Sequence, residues 1–167
     1  MANERKSRNH LDNYAPLYLR VESIRDSVDE FRNPSADLDI GGLTRLNHRA
    51  LFYLFTAAIR LHTALCFLVD YAPTEQVGRR LEQIIADLEG ALEGCNADRS
   101  TLMDPSPANL GAIEKHMKLL LTVVIRATNI CNNHAPGWVP EERLRPFLEA
   151  RDYGDRAIRC PSIISES

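Results

Sequence analysis

Glycine-rich phosphate loops, CxxC pairs and a GxSxG serine turn are all missing from this chain. Their absence removes phosphate-loop and dinucleotide chemistry, zinc-finger spacings and the strained-turn serine nucleophile. The only adjacent glycines, Gly41 and Gly42, are followed by Leu43-Thr44 rather than Lys-Ser/Thr. No stretch alternates apolar and polar residues with period two, so no sheet is expected. No short apolar run follows MANERKSRNH, so no secretory signal is read there. The scattered cysteines Cys66, Cys95, Cys131 and Cys160 are accordingly expected as reduced thiols of a cytoplasmic protein. Charge of one sign is lacking too: a net −3 over 167 residues excludes bulk attraction to nucleic acid and leaves only local basic patches. Lysine is scarce, with 3 against 17 arginines. Arginine is the better fork for phosphate and carboxylate, although a GC-rich coding bias gives the same excess.

What is present is helical periodicity in a chain of about one domain's length. The expected organisation is a polar tail over 1–12, a single helical-bundle domain over 13–153 and an irregular tail over 154–167. The first helix is capped near Asp12 or Asn13, tolerates Pro16 in its first turn and ends at Asn33-Pro34. Leu17, Val21, Ile24, Val28 and Phe31 form one narrow apolar stripe on it, a docking face for the bundle or for a partner protein.

Residues 44–71, TRLNHRALFYLFTAAIRLHTALCFLVDY, are apolar enough to cross a membrane. A span would hold Arg60 and His62 near the bilayer centre, where one arginine costs about 2.5–3.5 kcal/mol. The central helix of a soluble bundle is therefore expected, with Arg45, Arg49, Phe52, Thr56, Arg60, Thr63, Phe67 and Asp70 on one polar arc. A third helix runs from a Thr74 cap to about Cys95, with Glu75, Glu82, Asp87, Glu89 and Glu93 outward. A fourth runs from Ser106-Pro107 to about Asn133, with Lys115, Lys118 and Arg126 on its polar stripe. HAPGWVP reads as a turn, in which Trp138 either plugs the bundle end or anchors a partner, and PEERLRPFLEARDY as one short helix or two, kinked at Pro146. The fold class is all-α: an antiparallel bundle of three long helices with a peripheral N-terminal helix and a short C-terminal one.

Two chemistries compete for these helices. Ribonucleases of the HEPN type use an Arg and a His with four to six residues between them, the His moving a proton. Arg45 and His48 are too close, Arg60 and His62 face apart, Arg126 and His134 are too far, and only Arg5 and His10 in the tail match. For a metal, His62 and Cys66 sit one turn apart and Cys131 and His134 close the fourth helix, but the intervening spacing fits no known finger. No metal or other cofactor is expected.

The expected function is contact rather than catalysis. If Arg45, Arg49, Arg60, Lys115, Lys118 and Arg126 border one groove, they track a nucleic-acid backbone. In size, helical architecture and scattered arginines the chain looks like the small helical subunits of multi-subunit CRISPR effector complexes, which would imply a non-enzymatic subunit of a nucleoprotein assembly. Its partners would be other protein subunits and the backbone of RNA or single-stranded DNA, with self-association open and no membrane. A phage- or plasmid-type adapter or inhibitor, docking through the first helix and Trp138, is the alternative; a HEPN-like ribonuclease is the second.

Overall fold

Helix follows helix throughout the residues described by the computed structural model, which are 16–26, 41–104 and 107–159, with 41–49, 107 and 110 given by their backbone alone. They form an all-α helical bundle. Helix α1 covers 16–26. The others are α2 (Gly41–Leu68), α3 (Glu75–Ala97), the single turn α4 (Arg99–Leu102), α5 (Leu110–Trp138) and α6 (Arg145–Arg159). A 3-10 turn, Val69–Tyr71, closes α2, and Ala72-Pro73 leads into the α3 cap. There the Oγ1 of Thr74 accepts the Val77 N–H at 3.2 Å, satisfying one of the donors a helix start leaves without a partner.

Two helices run further than their breaker residues suggest. Helix α5 continues through Pro136 to Trp138 instead of ending near Asn133. Pro136 removes one ladder hydrogen bond, but Ala135 and Val139 are buried and the Trp138 ring packs on the core, with His134 stacked on it at 4.8 Å. Burial outweighs the lost bond. Helix α6 reaches Arg159, past the expected start of an irregular tail at 154. Pro146 is its second residue, where a missing N–H costs no intrahelical bond, so it starts the helix rather than kinking it. Phe147, Ala150, Gly154 and Ala157 of α6 are all buried, which makes it a wall of the bundle.

Helices α2 and α5 pack on each other, and both α3 and α6 pack on that pair. On α5, Arg126 reaches Asp87 of α3, while Thr128 abuts Gly154 of α6. Residues two apart on a helix point about 200° apart, so α3 and α6 lie on opposite sides of α5. Helix α2 repeats the pattern, with His62 meeting Glu89 of α3 and Arg60 meeting Tyr153 of α6. Phe55, Leu54, Leu61, Leu65, Ile85, Leu88, Leu92 and Ile113 fill the space between them with almost no exposed area. Each such side chain contributes about 1.5–3 kcal/mol.

Ala50–Tyr71 has the length and hydropathy of a membrane span, and 61% of its apolar window is buried inside the bundle. The apolar stripe of α1 is likewise spent inside the chain: Leu17, Val21 and Ile24 are buried. They are core residues, which corrects their assignment as a docking face for a partner. Val28 and Phe31 lie outside the described residues.

Candidate functional site

Three helices meet at His62. Its ring is fully buried on the side of α2 opposite Arg60, and its Nε2 lies 2.9 Å from Oε2 of Glu89 on α3. A carboxylate only accepts, so Nε2 carries the hydrogen and Nδ1 is left to accept the Tyr18 hydroxyl of α1. Burial, partly offset by the nearby Thr63 hydroxyl and reinforced by Cys66 and Glu89, raises the Tyr18 pKa, which keeps the phenol a donor. The Cys66 thiol stands 3.9 Å from both ring nitrogens and is pushed up to about 12 by burial, then by Glu89 and Asp70. A buried Tyr–His–Glu chain resembles a proton relay, but its imidazole is closed off from solvent and bonded at both nitrogens. What it does here is tie α1 and α3 to α2.

Glu89 was expected on the outer face of α3 and is instead buried. The signal lay in its angle, since it sits about 40° around the helix from Ile85, at the edge of the apolar arc. His116 makes a second tie, its Nε2 donating to Oδ2 of Asp98 at 2.7 Å. Cys95 and Cys131 are buried like Cys66, and burial lifts both to about 12, with Asp98 adding to the rise for Cys95 and Arg151 opposing it for Cys131. Among the described residues no cluster of His, Cys, Asp and Glu is able to hold a metal ion. The pairs His62–Cys66 and Cys131–His134 make no shared site: Cys131 is buried on α5 while His134 is exposed and stacked on Trp138.

The cations divide between two surfaces. Because α2 and α5 touch each other and are flanked by α3 and α6, their solvent-facing arcs point away from one another. Arg60 and the α5 cations therefore do not border one groove, so the condition for a common path is not met by the described cations; the Arg45 and Arg49 side chains lie outside the described residues. On α5, Lys115 and Lys118 are exposed and make no ion pair among the described residues, whereas Arg126 is engaged by Asp87 at 3.0 Å. Glu114, the only acid of α5, sits at the edge of this stripe.

On α2 the exposed guanidinium of Arg60 lies 5.2 Å from the ring centre of Tyr153 on α6, and Arg156 approaches the same ring at 5.9 Å. Phe67, two turns beyond Arg60 on the same arc, is 45% exposed. The hydroxyls of Thr56 and Thr63 on this arc turn back to the carbonyls of Phe52 and Ile59. The backbone of α2 carries Arg45 and Arg49, whose side chains, like that of His48, are outside the described residues, as are Arg5 and His10. Tyr153 and Arg156 were missed by sequence reasoning, because the expected C-terminal helix stopped at Tyr153 and nothing in its spacing pointed towards Arg60. Trp138 is half-buried at the end of α5, more a closure of the bundle than a free anchor.

Comparison of this chain with protein-family models, with curated proteins and with solved structures gives no match.

Proposed function

We propose that this protein is a non-enzymatic helical subunit of a larger nucleoprotein assembly, contacting the nucleic-acid backbone through cations on the outward arcs of its two central helices. One observation carries the reading: α2 contains no acid over its full length, and α5 contains one, while both carry arginine or lysine on the arc that faces solvent. The acids gather instead on α3, which carries five against two arginines. Among the described residues, the burial of Cys66, Cys95, Cys131 and His62 supports contact over catalysis, since these reactive atoms are held away from any substrate.

Titrating a fluorescent oligonucleotide at several salt concentrations tests this. With about three phosphates contacted, log K falls against log salt with a slope of about −2 for a single strand. Replacing Arg60, Lys115 and Lys118 together with Glu, which changes both arcs, weakens binding and flattens that slope. An oligonucleotide that stays free at low salt, or a slope the triple variant leaves unchanged, overturns the proposal. A protein-adapter reading is favoured by one feature, the 52% exposed Leu119 beside Lys118, an apolar contact that phosphate has no use for.

A further inference from the structure

We infer that the α2–α6 face takes an unpaired nucleic-acid strand, holding its phosphates with Arg60 and Arg156 and stacking a base on Phe67. The inference rests on the nucleic-acid reading above and deepens it by naming the form of the ligand and a second surface.

The geometry supplies both halves of a single-strand site. The Tyr153 ring lies within 6 Å of two guanidiniums from different helices and so holds them in place by attraction between cation and ring face. Two flexible arginines are thereby kept at one spot on the surface, each still exposed. Neither forms an ion pair among the described residues; of the three α6 acids, Glu149 is met by Arg145 at 2.9 Å and Asp152 by Arg151 at 2.9 Å, while Asp155 lies about 200° around the helix from Tyr153. Asp70, just beyond Phe67, bounds the positive stretch at that end of α2. Charge alone fits any polyanion.

Phe67 narrows the choice. It is one of three large hydrophobic side chains exposed among the described residues and the only aromatic of the three. Seven residues of helix place it about 10 Å along α2 from Arg60. In a duplex the base faces are covered by their neighbours, so an exposed ring gains nothing from it; an unpaired strand offers its bases to aromatic rings and guanidinium planes. Both threonine hydroxyls of the arc are bonded to their own helix. Few donors remain for reading base edges, so the site is tolerant of sequence.

The test compares anisotropy titrations of fluorescein-labelled oligouridine and of an RNA duplex of equal length, using the full chain. Wild type binds the single strand more tightly. Phe67→Ala weakens it by roughly 5- to 100-fold, the range of one base–aromatic stack, and leaves the duplex unaffected. The pair Arg60→Glu and Arg156→Glu removes binding, and melting curves confirm that each variant is folded. Equal binding of both nucleic acids, weakened by the arginine changes and untouched by Phe67→Ala, overturns the stacking inference and keeps backbone contact. Polyglutamate bound as tightly as oligouridine makes the face a site for acidic protein and overturns it as well. No binding of either nucleic acid removes this inference together with the function it rests on.

Discussion

Gly154 sits where α6 crosses α5, and replacing it by alanine tests the packing most directly. A Cβ built there falls 1.9 Å from Oγ1 of Thr128, 3.0 Å from its Cβ and 3.1 Å from its Cγ2. Rotating Thr128 offers no escape. Its hydroxyl donates to the Val124 carbonyl at 2.7 Å, and its Cβ is fixed by the backbone of a buried position. The two helices must therefore move apart. Forcing an extra carbon into a packed contact costs about 1–3 kcal/mol. Alanine returns up to about 1 kcal/mol of helix propensity relative to glycine. The net expectation is a loss of about 1–2 kcal/mol, or roughly 2–8 °C in Tm for a chain of this size. Thermal unfolding followed by circular dichroism reads it. Thr128→Ala removes two of the three clashing atoms, so the double variant should recover part of the loss through a coupling of about 0.5–3 kcal/mol. A Gly154→Ala protein that melts at or above wild type would refute the close crossing, and with it the placement of α6 against α5.

The buried polar tie gives a second prediction. His62→Ala takes away the Glu89 partner at 2.9 Å and the acceptor for the Tyr18 hydroxyl, and should cost about 3–5 kcal/mol in urea unfolding, as breaking a buried pair does. Tyr18→Phe leaves Nδ1 without its donor and should cost about 1–3 kcal/mol; losses well under 1 kcal/mol in both would show that the tie is not formed. With Cys160 changed to Ser, maleimide at neutral pH should label none of Cys66, Cys95 and Cys131 in the folded chain and all of them in guanidinium; rapid native labelling would contradict their burial. The same thiols make stability fall at high pH. Each is raised from 9.0 to about 12, so the unfolded chain loses its protons first, and the stabilisation present below pH 9 is lost as pH rises towards 12. Urea midpoints measured across that interval should decline, and a flat profile would count against it.

The long helices were legible because their signals are local and repeated. Thr74 and the three- and four-residue spacing behind it place α3 within two residues of its observed end, and the absence of proline from Leu43 to Ala72 marks α2. Single breaker residues misled. Pro136 and Gly154 are weak votes of about 1–3 kcal/mol each, overruled where a helix end has core to cover. Here Ala135 and Val139 hold α5 together, and Ala150 and Ala157 hold α6. Glu89 was read by residue type rather than by angle, since a buried acid becomes visible only once its histidine partner from another helix is in place. Arg60 was legible as a surface cation, but its companions were not. Periodicity gives the face of each helix and says nothing about the order of helices around the bundle, which is what separates Arg60 from Lys115 and joins it to Tyr153.

That separation bears on what the basic arcs are for. Solvating the outside of a central helix requires polar residues of either sign, and α3 does it with both, mixing Arg79 and Arg80 among its acids. In the whole chain acids outnumber Lys and Arg by 23 to 20. Helix α2 nevertheless carries three arginines in its sequence and no acid, and among its described side chains the outward groups besides Arg60 are threonines bonded to their own backbone or aromatic rings. Solvation alone leaves that choice of sign unexplained. The proposed contact with a polyanion would account for it, and for an open apolar surface on the arc that is the ring of Phe67 rather than an aliphatic side chain. The two positive arcs face opposite ways, so one short strand cannot lie on both. If the proposed function holds, such a chain would suit a position between neighbours, with a strand along one face and a second strand or an acidic protein surface against the other.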